Sequence, residues 1–129
     1  MIVDASAIVA LLLDEPEARS LADRLEAAPT RATHPVSIYE AALAIARSWR
    51  SSPGEAEADV NLLLAGSDLR VLPIGPDEAA AALDAFAKYG KGRHAAKLNM
   101  GDCFSYACAK LRGMPLLYKG DDFALTDLA

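Results

Sequence analysis

Four carboxylates in this chain stand where a charge has no evident partner. Asp4 follows the apolar run Met1-Ile2-Val3, and Asp121 follows Leu116-Leu117-Tyr118 across a short Lys119-Gly120 step. Glu40 lies inside VSIYEAALAIA and Asp102 inside LNMGDCFSYACA, both apolar on nearly every side of a helix. An ionised carboxylate in such a segment is costly unless it is paired or binds a metal. The first basic residue after Glu40 is Arg47, seven positions on and too far for an i,i+4 contact, and the Asp102 helix has none before Lys110. Each acid taken singly has an ordinary explanation: a strand-end cap for Asp4, a helix-dipole acid for Asp102, a turn residue for Asp121. Taken together they are a set of hard oxygen donors, which suits Mg²⁺ or Mn²⁺ rather than zinc. Carboxylates holding such an ion suit phosphodiester hydrolysis, since the ion activates water and neutralises phosphate and leaving oxygens.

Competing chemistries find little support. No GxSxG elbow is present, and Gly90-Lys91-Gly92 is not the GxxxxGK[ST] of a phosphate-binding loop. Cys103 and Cys108 stand five apart in an apolar helical pattern with no second pair, so they are expected to be buried, reduced thiols rather than zinc ligands. A haloacid-dehalogenase type of phosphatase would need an acid two residues after Asp4, where Ser6 stands, and a receiver-like domain would need an acceptor Asp where Pro73-Ile74-Gly75 follows the third strand. A non-catalytic RNA-binding or dimerisation module stays open as the alternative.

The elements that must position these acids alternate along the chain. Met1 to Asp4 reads as a strand, Ala5 to Leu13 as a helix, and Glu17 to Ala28 as an amphipathic helix stopped by Pro29. Arg31 to Thr33 is a brief second strand. Ser37 is expected to cap a helix from Ile38 to Arg50, closed by Ser51-Ser52-Pro53-Gly54. Helices are expected at Glu55 to Ala65, Asp77 to Tyr89 and Gly101 to Arg112, with strands at Leu69 to Leu72 and Leu116 to Tyr118. Strands separated by helices, and apolar on both faces, imply an α/β class with a mostly parallel sheet covered on two sides. In such sheets ligands bind outside the carboxyl ends of the strands, where Asp4 and Asp121 fall.

The 129 residues, 53% of them apolar, are enough for one core, and no repeat or linker divides them, so a single domain over 1–129 is expected. The apolar run from Ala7 to Leu13 is too short to cross a bilayer, and Asp4 spoils a signal-peptide pattern, which points to a soluble cytoplasmic protein without membrane association. A net charge of −5 argues against a surface that grips nucleic acid everywhere. A local basic patch does exist: Lys88, Lys91, Arg93, His94 and Lys97, of which the last four are candidates for RNA contact.

The opening MIVDASAIVALLLDEPEA, the central SIYEAALAI, the stretch YGKGRHAAKLNMGDCFSYACAK and the ending LLYKGDDFALTDL resemble the VapC toxins of the PIN-domain family. The resemblance reaches both ends and the middle of the chain. It implies a three-layer α/β/α PIN-like fold and a Mg²⁺- or Mn²⁺-dependent endoribonuclease, the toxin of a type II toxin–antitoxin pair, whose products carry 5′-phosphate and 3′-hydroxyl ends. It also implies a homodimer and a cognate VapB-type antitoxin. The family's acid quartet carries over to Asp4, Glu40, Asp102 and Asp121, with Asp122 as the alternative in the GDDF turn. Ser6, in the DAS segment, matches a small hydroxyl residue that supports the site by hydrogen bonding. Transfer, ribosomal and messenger RNA all fit as substrate, because RNA choice rests on loop shape.

Overall fold

A computed structural model describes residues 1–128. Ten elements follow one another: β1 (Ile2–Val3), α1 (Ala5–Leu12), α2 (Ala18–Ala27), β2 (Ala32–Thr33), α3 (Pro35–Trp49), α4 (Pro53–Gly66), β3 (Arg70–Val71), α5 (Pro76–Tyr89), α6 (Met100–Arg112) and β4 (Leu116–Leu117). The strands form one sheet in the order β3-β2-β1-β4, and every pairing is parallel, with Ile2 opposite both Ala32 and Leu116. The α/β class and the parallel sheet expected from the alternation are therefore present.

Successive residues of a strand point to opposite faces, and the two cores follow that rule. Val3 and Leu117 enter a cluster with Ile8, Leu21, Leu25, Ile45, Val60 and Leu64, contributed by α1 to α4. Their strand neighbours Ile2 and Leu116, with Ala32, enter the other cluster, with Ala82, Ala85, Tyr106, Cys108 and Phe123 around α5 and α6. One thin sheet thus separates two helical layers. Cys103 and Cys108 are free and buried, as expected.

β3 lies within Leu69 to Leu72 as expected, but the expectation that strands are apolar on both faces fails there, since Arg70 and Val71 are exposed. β3 is the sheet edge, paired on one side only, so an apolar pattern on both faces is not required there. The start of α3 also differs: the helix begins at Pro35, and His34, not Ser37, is its N-cap. Proline's fixed φ and missing N–H suit the first helical position, and the His34 ring takes the role expected of the Ser37 hydroxyl by accepting from the Ser37 N–H through Nδ1 at 3.2 Å. α4 begins two residues earlier than expected, at Pro53, because Ser52 and Glu55 form a reciprocal capping box.

Candidate active site

Asp4 leaves β1 and caps α1 in one residue. Its N–H donates to the Leu117 carbonyl at 2.9 Å, holding it against β4, while its carboxylate turns to the helix start. Oδ2 accepts from the Ser6 N–H at 3.0 Å and the Ser6 hydroxyl at 2.7 Å; Oδ1 accepts from the Ser105 hydroxyl at 2.5 Å. Ser6 Oγ in turn accepts from the Lys119 N–H at 3.0 Å, so one hydroxyl joins Asp4 to the turn carrying Asp121 and Asp122.

Glu40, half-buried in α3, reaches across to the first turn of α6. A Cβ built on Gly101 would overlap its carboxylate, so that carboxylate can lie against α6 only because residue 101 is glycine. Asp102 sits one residue later, buried, in a capping box: its N–H donates to Asn99 Oδ1 at 2.9 Å and its Oδ2 accepts from the Asn99 N–H at 3.1 Å. The helix-acid explanation of Asp102 therefore holds for its backbone partners without accounting for its charge.

That charge is opposed by its surroundings. Burial, foremost, pushes the Asp102 carboxyl up to about 7, against the Asn99 N–H that favours ionisation, with the charges of Asp4, Asp122 and Glu40 adding to the rise. Glu40 is raised by burial and then by Asp4. Asp122 is raised by burial, then by Asp4 and Asp121. These influences place Asp4, Glu40, Asp102 and Asp122 in one electrostatic neighbourhood, with Asp121 acting on it through Asp122. The sequence preference was for Asp121, but the turn charge bearing on Asp102 is that of Asp122. Gly120, at φ +93, sets this turn, a left-handed backbone readily adopted by glycine.

Among the described residues no ion pair involves Asp4, Glu40, Asp102 or Asp122. Nor do three or more His, Cys, Asp or Glu side chains there close into a ready-made metal cage. An all-oxygen set of adjacent, uncompensated carboxylates fits a hard divalent ion that keeps part of its water shell. The same set should weaken the metal-free fold. Because the folded-state pKa of Asp102 lies above its ordinary value near ~4, its contribution to stability is full below that value and is lost as pH rises through about 7. In EDTA the melting temperature of the wild type should fall over this range more than that of Asp102→Asn. The variant should be more stable above pH 7 by about 1 kcal/mol and gain less from Mg²⁺. Melting curves across pH, with EDTA and with Mg²⁺, test this; a variant less stable in EDTA that gains fully from Mg²⁺ would make Asp102 a structural acid only.

Polar residues that sequence reasoning did not assign to the site lie behind Asp4. His34, Ser37 and Ser105 are all fully buried, and His34 Nε2 lies 2.9 Å from Ser105 Oγ and 3.0 Å from Ser37 Oγ. Burial lowers the His34 pKa to about 4 although Asp4 works the other way. One signal was available: Ser105 stands three residues after Asp102, one turn along the same helix face.

The basic stretch forms a closed loop. A parallel bridge joins Gly90 to Leu98 at its base, and Lys91, Arg93, His94 and Lys97 are exposed on it. The Arg93 guanidinium lies 5.6 Å from the centre of the Phe86 ring, and the Tyr89 and His94 rings meet edge to face at 5.1 Å. The loop runs directly into Asn99, the cap of the helix that carries Asp102.

Acids gathered at the carboxyl edge of a parallel sheet are chemically suited to a divalent ion and to phosphodiester substrates. The PIN domain pattern matches residues 1–128, and the chain belongs to the PIN-domain family. It is 46% identical to a Ribonuclease VapC of Mycolicibacterium smegmatis over 100% of this chain and 98% of that protein. Ribonuclease VapC30 of Mycobacterium tuberculosis is likewise 46% identical, over 100% of this chain and 96% of its own length. Among solved structures, Mycobacterium tuberculosis VapC20, described as a Sarcin-Ricin loop cleaving toxin, superposes with a TM-score of 0.75 at 18% identity, covering 99% of this chain and 95% of that one. That likeness supports the fold. Ribonucleases of the family generally depend on divalent metal. Among the described residues no helix is long and apolar enough to cross a membrane.

Proposed function

We propose that this chain is a Mg²⁺- or Mn²⁺-dependent endoribonuclease, the toxin of a type II toxin–antitoxin pair, with Asp4, Glu40, Asp102 and Asp122 holding the metal and Asp121 adding charge beside them. The observation that carries this reading is that burial and neighbouring carboxylates oppose the charge of Glu40, Asp102 and Asp122, with no ion pair among the described residues to offset it. The ion, when bound, offsets phosphate charge and makes water a competent nucleophile near neutral pH. The chain's own groups do the rest: Ser6 and Ser105 fix the Asp4 carboxylate, Asn99 fixes Asp102, and Gly101 leaves room for Glu40. No side chain acts as a nucleophile. The proposed partners are RNA, a VapB-type antitoxin and a second copy of the chain, in a single domain in the cytoplasm. A toxin–antitoxin complex from Klebsiella pneumoniae shares the fold, with a TM-score of 0.70. End-labelled RNA incubated with the protein should be cut internally with Mg²⁺ or Mn²⁺ and left intact in excess EDTA. Robust cutting in EDTA overturns the metal reading, and binding without cutting in either condition favours the non-catalytic module.

Lys91, Arg93, His94 and Lys97 are proposed to contact the RNA backbone, as the exposed cations on the loop leading into α6. Each phosphate neutralised on a single strand contributes a slope of about −0.7 to log affinity against log salt. Lys91→Ala with Arg93→Ala, in an Asp4→Asn background, should flatten that slope by about one unit or more. An unchanged slope would make the loop a solvated surface.

A further inference from the structure

His34 follows β2, caps α3 and has no solvent exposure. Its proton can be placed by hydrogen-bond bookkeeping. Nδ1 accepts from the Ser37 backbone N–H and so carries no proton, which leaves the ring's single N–H on Nε2. The Nε2–H faces two hydroxyl oxygens, Ser105 Oγ at 2.9 Å and Ser37 Oγ at 3.0 Å, and Ser105 Oγ, the nearer, donates its own hydrogen to Asp4 Oδ1 at 2.5 Å. The chain of donors runs one way, from the α3 backbone through His34 and Ser105 to Asp4.

We propose that His34 is a positioning residue for the Asp4 carboxylate, acting through Ser105. The proposal rests on the reading of Asp4 as a metal-holding acid. A serine hydroxyl can rotate among acceptors, and Ser37 Oγ stands 3.4 Å from Ser105 Oγ as an alternative. With the Nε2–H, shared with Ser37, directed at its oxygen, Ser105 turns its hydrogen to Asp4. Ser6 meanwhile holds the other oxygen, so the carboxylate plane is fixed from both sides before a cation arrives. Groups that orient a metal ligand in this way set affinity as well as geometry. A role limited to capping α3 would need only Nδ1 and would leave the hydrogen on Ser105 free.

His34→Asn separates the two roles. The Asn carbonyl still accepts from the Ser37 N–H as a cap, but the shorter side chain has no donor reaching Ser105. Ser105→Ala removes the relay from the other end, leaving His34 Nε2 its Ser37 partner at 3.0 Å. Mn²⁺ binding by the RNA-free proteins, measured by calorimetry, should weaken about 10- to 100-fold in each variant. The double variant should be no weaker than the worse single one, because both cut the same chain. A folded His34→Asn protein that binds Mn²⁺ like wild type overturns the proposal, and so do losses that multiply in the double variant. Should His34→Asn fail to fold, His34→Ser takes its place, since serine also caps a helix but has no donor reaching Ser105: wild-type affinity in it overturns the proposal, and a loss that Ser105→Ala does not deepen supports it. A wild-type protein that binds no Mn²⁺ overturns the metal reading and this proposal with it, an outcome distinct from binding that is indifferent to the variants.

Discussion

Asp4→Asn should remove RNA cleavage while the protein stays folded. Asparagine caps a helix about as well as aspartate, so α1 keeps its start; what is lost is the charge against which Ser6 and Ser105 both direct hydroxyl hydrogens. The expected drop is about 10²–10³-fold, the scale of removing one well-placed electrostatic group, with growth inhibition in an expressing bacterium lost in parallel. Glu40→Gln and Asp102→Asn should behave alike. The turn acids give a sharper comparison: Asp122→Asn should cost more than Asp121→Asn, since Asp122 bears on Asp102 directly. A fully active Asp4→Asn protein would place the chemistry elsewhere.

Gly101→Ala is expected to cost activity through a neighbour it does not resemble. The new methyl would occupy the space of the Glu40 carboxylate, and that side chain, being flexible, must swing out of the site. Stability should change little, because alanine gains about 1 kcal/mol of helix propensity over glycine and the displaced group is a chain end rather than backbone. Cleavage and Mn²⁺ affinity should fall about 10- to 100-fold. The double variant with Glu40→Gln should be no worse than Glu40→Gln alone, because both changes act on the same carboxylate. Wild-type cleavage by Gly101→Ala would show that the position of Glu40 against α6 is immaterial to the reaction.

Helices with a clear apolar period were readable because burial of a face leaves a mark on every third or fourth residue. The central strands were readable as apolar runs, while exposed β3 was legible only through Leu69 and Leu72 on either side. Glu40 and Asp102 were conspicuous because a charge in an apolar helix needs compensation. The two turn acids were not separable, since the conformation around Gly120 decides which one approaches Asp4. His34 left no mark in the sequence, and Ser105 only its spacing from Asp102, for a different reason. A histidine before a proline reads as a chain break, and a serine in LNMGDCFSYACA reads as a small filler; only the approach of β1, β2 and α6 turns them into a relay ending on Asp4. Gly101 belongs with them, because its missing side chain has meaning only beside Glu40.

The placement of β1 between β2 and β4 also sets a timetable for synthesis. A ribosome releases Asp4 first, yet Asp4 takes its backbone partner from Leu117 and its side-chain partner from Ser105. A nascent chain that has not emerged past Leu117 has neither the strand that completes the centre of the sheet nor the turn that brings Asp122. Contacts of such long sequence separation form late and slowly. Until Leu117 and Asp122 have emerged from the ribosome, a protein proposed to cut RNA therefore lacks its acid cluster.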